Sequence, residues 1–118
     1  MTAGRDLGRL PFCYLTTVGR LTGRPHRIEI WFALHDTTIY LLAGGGDRAD
    51  WVRNLVVAPD VVVELGDRSL STRARVVPAG TEEDGLARRL LVEKYQPGYG
   101  GDLSEWGRTA LPVAIDWR

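Results

Sequence analysis

The segment from His26 to Leu34 constrains the fold more than any other. Over its length His26, Ile28, Ile30, Phe32 and Leu34 alternate with Arg27, Glu29, Trp31 and Ala33. Side chains of an extended strand point alternately to opposite faces, so this spacing predicts one strand with a core face and a face carrying charge and an aromatic ring. Other short apolar runs, rich in β-branched and aromatic residues, repeat the signal. Phe12–Val18 stops at Gly19, and Thr38–Ala43 is entered through the turn residues His35, Asp36 and Thr37. The strand at 26–34 and the one at 38–43 are expected to pair as a hairpin. Val61–Leu65 and Leu70–Val77, separated by Gly66 to Ser69, predict a second hairpin, and Leu111–Trp117 a final strand.

Two helices interrupt this β pattern. Gly44, Gly45 and Gly46 lead into Asp47, which reads as an N-cap with Asp50 three positions on; Trp51, Asn54 and Leu55 follow at helical spacing, and Pro59 ends the helix. Thr81 with Asp84 resembles a capping box, after which Leu86, Leu90, Leu91 and Tyr95 form one stripe. Gly98, Gly100 and Gly101 break that helix, and a short turn is expected around Asp102 to Trp106. The order β-β-β-α-β-β-α-β, built from hairpins, predicts a mainly β fold: an antiparallel barrel with peripheral helices.

Size and charge narrow the function. A chain of 118 residues buries about two-thirds of its unfolded surface, enough for one core, so a single domain over residues 1–118 is expected. The 15 basic and 15 acidic residues cancel, which argues against nucleic acid or an anionic membrane as a partner. Residues 1–10 hold no apolar leader and no stretch reaches 18 apolar residues, so a cytoplasmic protein without a membrane span is expected. Cys13 is the single cysteine and lies in an apolar run, where a small buried hydrophobe is expected. With only His26 and His35 besides, no zinc-ligand spacing exists, and Ser69, Ser71 and Ser104 have no nucleophile elbow around them.

What survives is Thr16-Thr17-Val18-Gly19-Arg20-Leu21-Thr22-Gly23-Arg24-Pro25, a strand running into a turn loaded with arginine. Successive turn amides and forked guanidinium groups suit a phosphate or carboxylate tail. Further on, Gly44 to Gly46 leave backbone N–H groups open to a flat ligand, and the following helix carries Trp51 and Asn54 on one face. The glycines match neither a P-loop nor a dinucleotide fingerprint.

Together the arginine turn, the extended strand, the glycine turn and Trp51-x-x-Asn54-Leu55-x-x-x-Pro59 closely resemble the deazaflavin-dependent nitroreductase family, from about Tyr14 to Val77. The resemblance implies the split β-barrel fold shared with flavin-binding pyridoxamine-phosphate-oxidase-like proteins, and coenzyme F420 as cofactor, with FMN as the alternative. It implies phosphate and tail contacts at Arg20, Thr22, Gly23 and Arg24, and a ring-facing stretch at Ala43, Gly44, Gly45 and Gly46. Trp51 and Asn54 match the family's Trp and Asn, and Trp31 takes a position where relatives often have an aromatic residue. Two positions depart from the pattern: Leu21 stands where relatives commonly carry Lys and Gly45 where they often carry Lys or Asn, which lowers positive charge toward the tail. The implied activity is hydride transfer from reduced F420 to a planar acceptor such as a quinone, nitroaromatic or enone. In that scheme Tyr99, in the glycine-broken segment, donates a proton or hydrogen bond. A non-catalytic deazaflavin carrier and an FMN-dependent oxidoreductase are the alternatives. A homodimer is expected, because relatives of the wider fold cover strand edges by pairing two chains.

Overall fold

The apolar runs become seven strands, every neighbouring pair antiparallel: β1 (Cys13–Val18), β2 (Pro25–Ile30), β3 (Ala33–His35), β4 (Thr38–Ala43), β5 (Asp60–Leu65), β6 (Arg68–Val76) and β7 (Leu111–Asp116). Among the described residues they are accompanied by α1 (Asp50–Val57), α2 (Glu82–Tyr95) and α3 (Ser104–Thr109). The computed structural model describes residues 7–118; the expectation that no leader begins the chain falls on the first six residues, outside that range. The strands form one sheet in the order β2-β1-β5-β6-β7-β4-β3. The sheet curls through β6, whose Arg68–Arg73 portion pairs with β5 while Ala74–Val76 pairs with β7. No helix among the described residues is long and apolar enough to cross a membrane.

The predicted strand at 26–34 is in fact two. β2 pairs with β1, in register from Cys13 opposite Ile30 to Val18 opposite Pro25, while β3 alone pairs with β4. The expected hairpin therefore survives only over Ala33–His35, around Asp36 in the left-handed conformation (φ 54°). The break at Trp31 and Phe32 carries the chain from one end of the sheet to the other. Strand pairing cannot satisfy Phe32's amide and carbonyl there, so α2 does. The Tyr95 hydroxyl accepts from Phe32 N at 3.0 Å, and Lys94 Nζ donates to Phe32 O at 2.9 Å. Tyr95 also reaches Pro11 O at 2.9 Å, tying the start of β1 to the same point.

Alternation along β4 builds two cores. Ile39 and Leu41 face inward with Leu15, Phe32, Val63 and Ile115, closed by Val52 and Leu55 of α1. Tyr40 and Leu42 face the other way, against Ala87 and Leu91 of α2. Full burial of each Leu, Ile or Phe stabilises by roughly 1.5–3 kcal/mol, so both sides of β4 hold the fold together. Thr81 caps α2 as expected, its side chain accepting from Asp84 N at 3.1 Å. Two expectations need correction. Asp47 is not an N-cap: the chain makes a short 3-10 turn at Gly46–Arg48, and α1 starts after Ala49 without a side-chain cap. The turn expected at 102–106 is instead entry into α3, a helix that contains Gly107 because a Cβ there would collide with Val92 of α2.

Candidate functional site

The arginine turn is held by its own backbone and by α1. Gly19 N donates to Arg24 O at 2.7 Å, Gly23 N to Gly19 O at 2.8 Å, and Gly23 sits at φ 74°, where a side chain would be strained. At Gly19 a Cβ would lie 2.6 Å from the exposed His26 imidazole, which would have to swing aside. Asn54, 4% exposed, fastens the turn to the helix. Its carbonyl oxygen accepts from Arg20 N at 3.1 Å and from the Arg20 guanidinium at 2.8 Å, while its amide donates to the buried Thr17 hydroxyl at 3.2 Å. The guanidinium also meets the Asp50 carboxylate at 3.2 Å.

A cavity of about 390 Å³ opens beside this turn. Arg20, Thr22, Trp51 and Asn54 line it, so four of the sequence candidates come together. Leu21, His26, Ile28 and Asp50 join them, residues that sequence reasoning had not assigned to a site. Among the described residues Arg20 is this cavity's single arginine or lysine. Gly23 and Arg24 belong to the turn but do not line the cavity; Arg24 is exposed, and its amide donates to the Thr22 hydroxyl at 3.2 Å.

A second cavity, of about 460 Å³, follows along the same strand: His26 and Ile28 of β2 line the first, Glu29 and Ile30 the second. Strand geometry separates Ile28 and Ile30 by about 7 Å. The walls of the second cavity are aromatic. Trp31 stacks on Tyr95 with centroids 4.2 Å apart and planes 3° from parallel, and it meets Tyr99 and Trp106 edge-on at 5.8 and 5.7 Å. Tyr99 lines this cavity and is 47% exposed. The carboxylates at its margin belong to Glu29 and Asp102; the Ser104 amide donates to Asp102 and holds its carboxyl below the usual range.

The glycine turn adjoins the second cavity. Ala43 is buried and paired with Leu111 in the sheet, and neither it nor Gly44, Gly45 or Gly46 lines either cavity. A Cβ on Gly44 would lie 3.6 Å from the Trp106 ring, while one on Gly46 would meet nothing within 4 Å. Bare backbone thus borders the indole of Trp106, a residue that position alone could not link to Gly44. The two remaining titratable groups of interest lie elsewhere. Burial pushes the Cys13 thiol up to about 12, and desolvation brings Lys94 down to about 8. Neither lines these two cavities.

The model of the F420H(2)-dependent quinone reductase family matches residues 1–117. The chain belongs to that family. It is an oxidoreductase, and its cofactor is coenzyme F420, so the FMN and non-catalytic carrier alternatives fall away. Solved structures agree on the split β-barrel. One, an F420-H2 dependent reductase, is 26% identical with a TM-score of 0.70 over 90% of this chain and 93% of that one. Another, a domain-swapped dimer, is 26% identical with a TM-score of 0.71 over 90% and 79%. A third, from Listeria innocua and assigned as a pyridoxamine 5′-phosphate oxidase, shares the fold at 17% identity and a TM-score of 0.67, over 94% and 86%. The site suits this cofactor: a guanidinium fork stands at one end of β2, and backbone without side chains borders an indole near the other.

Proposed function

We propose that this protein uses reduced F420 to reduce a small planar acceptor, a quinone, nitroaromatic or enone, with the cofactor's anionic tail at the Arg20 cavity and the acceptor at the aromatic cavity. The observation that carries this reading is the succession of the two cavities along β2, one with a forked cation and one walled by rings. When bound, F420H2 supplies a hydride and a proton, so a quinone becomes the hydroquinone with atoms and charge balanced. The protein's part is to bind, orient and shield. Arg20 and Thr22 hold the tail, with Gly23 and Arg24 shaping the turn. Asn54 and Trp51 support that turn from α1, and of the stretch Ala43 to Gly46 the backbone of the glycines would border the ring, since Ala43 is buried. Trp31 and Trp106, set at right angles, would flank the acceptor, and the Tyr99 hydroxyl would donate to the acceptor oxygen a hydrogen bond, or a proton that it regains from the one the cofactor releases. Among the described residues no Arg, Lys or His lines the aromatic cavity, which favours an uncharged acceptor over an anionic one.

The test is anaerobic oxidation of F420H2, followed by absorbance, with a naphthoquinone, a nitroimidazole and a cyclic enone in turn. Turnover of at least one is expected, and NADPH should not replace F420H2. Tight cofactor binding with every acceptor untouched would refute the assignment of the second cavity. We also propose a homodimer, supported by Leu21, Val56 and Val57 being 86%, 63% and 67% exposed. Light scattering giving a mass near 13.1 kDa at micromolar concentration would refute it.

A further inference from the structure

We infer that Asp50 is a built-in competitor for the anion that Arg20 takes, and so sets how tightly this protein holds the tail of its cofactor. The inference rests on the reading of the Arg20 cavity given above. The Arg20 guanidinium is already engaged: one nitrogen donates to Asn54 Oδ1 at 2.8 Å and to the Asp50 carbonyl at 3.4 Å, and the other meets the Asp50 carboxylate at 3.2 Å. Three of the contacts that orient Arg20, counting its backbone amide to Asn54, do not involve that carboxylate. Asp50 is therefore not needed to position the fork. Its side chain is 85% exposed against 21% for Arg20, so the pair is wet on the carboxylate side and cheap to open.

Asp50 also lines the cavity, and its carboxylate meets the cavity's single arginine at 3.2 Å. An incoming phosphate that takes the same edge of the fork competes with Asp50 for it and sits beside its negative charge. Both effects weaken anion binding, and the second grows with the number of charges on the ligand. The pair thus favours tails of low charge and rapid exchange over permanent retention. Asp50 opens α1, where a negative charge near the helix N-terminus contributes some stability, so its removal is separable from binding by melting temperature.

The test compares wild type, Asp50→Asn, Arg20→Ala and the double variant in titrations with F420, inorganic phosphate and pyrophosphate at low and high salt, beside thermal melting. Asp50→Asn is expected to tighten F420 and pyrophosphate by roughly two- to fivefold at low salt, phosphate by less, and to lose the gain at high salt. In the Arg20→Ala background the gain should shrink. Unchanged or weaker binding by a folded Asp50→Asn protein would overturn the inference, as would a gain of equal size without Arg20. If Arg20→Ala itself leaves F420 affinity unchanged, it is the assignment of the tail to this cavity that fails, and Asp50→Asn then has no anion to compete for.

Discussion

Asn54→Ala is the substitution on which the description of the site can be tested most sharply. Asn54 makes three hydrogen bonds, to Arg20 twice and to Thr17 once, and its side chain has almost no exposed surface. At about 1 kcal/mol net for each bond, with the buried Thr17 hydroxyl left without this partner, the loss should be about 3 kcal/mol. For a chain of this length that corresponds to a fall in Tm of roughly 12 °C. Arg20→Ala should cost less, about 1 kcal/mol, because the backbone amide of residue 20 keeps its bond to Asn54 and the guanidinium's other partner is exposed. The two substitutions share the 2.8 Å bond, so their effects on urea midpoint should fall short of additivity by about 1 kcal/mol. F420 titration supplies the second readout: both variants should lose affinity, Arg20→Ala by direct contact and Asn54→Ala only through the turn it holds. Additive stabilities, or an Asn54→Ala protein within 0.5 kcal/mol of wild type, would show that the amide does not fasten the turn to α1.

Gly45 has ordinary backbone angles (φ −79°, ψ −1°), and a Cβ there would meet Ala49 at 3.6 Å, so Gly45→Val should melt within a few degrees of wild type yet lose F420 affinity by at least tenfold; intact affinity would remove the ring from this turn. Tyr99→Ala should lower kcat/KM for the acceptor about tenfold or more while leaving the F420 Kd within twofold, and Tyr99→Phe should separate the hydroxyl from the ring. Cys13, 1% exposed and with its thiol pushed up to about 12, should resist iodoacetamide at pH 8 in the native protein and react fully in denaturant, as mass spectrometry would show. Lys94 has its ammonium disfavoured in the fold, from 10.5 down to about 8, so the unfolded chain binds the extra proton between those values; wild type should gain stability relative to Lys94→Met as pH rises from 8 to 10.5, measured by denaturation at each pH.

The period-2 pattern at 26–34 shows how far residue order alone reaches. It correctly marks extended chain with Ile28 and Ile30 toward the core, because alternation is a local property. It hides the break, since Trp31, Phe32 and Ala33 form a continuous apolar run in which a change of phase leaves no polar residue out of place. The structure shows the break directly: Phe32 and Ala33 are both buried, which one regular half-buried strand cannot achieve. The site divides the same way. Arg20, Thr22, Trp51 and Asn54 were legible as a motif and do meet in one cavity. That Asn54 spends its amide inside the protein, that Asp50 faces Arg20, and that His26 covers Gly19 all depend on pairings between residues far apart in the chain, such as Thr17 opposite His26. Helix α3 reads in the sequence only as a short turn at Asp102 to Trp106, because the contact with Val92 that demands Gly107 joins residues distant in the chain.

The break at Trp31 and Phe32 also explains why the second cavity lies where it does. The end strands β2 and β3 are consecutive in sequence but occupy opposite ends of the sheet, so the seam between them is bridged by two residues with no strand partner. Unpaired backbone in a buried place is costly unless another element supplies donors and acceptors. The last turn of α2 supplies both, through Lys94 and Tyr95, and the same Tyr95 ring stacks beneath Trp31. The residues that close the seam therefore also fix the orientation of the indole to which Tyr99 and Trp106 are set at right angles. One wall of the cavity is thus rigid as a consequence of how the barrel is split. Edge-on to that indole, Tyr99 stands between glycines, and a Cβ on Gly98 or Gly100 would meet nothing within 4 Å. Under the proposed function, the ring on the rigid side would set the plane of the acceptor and Tyr99 would adjust to its outline.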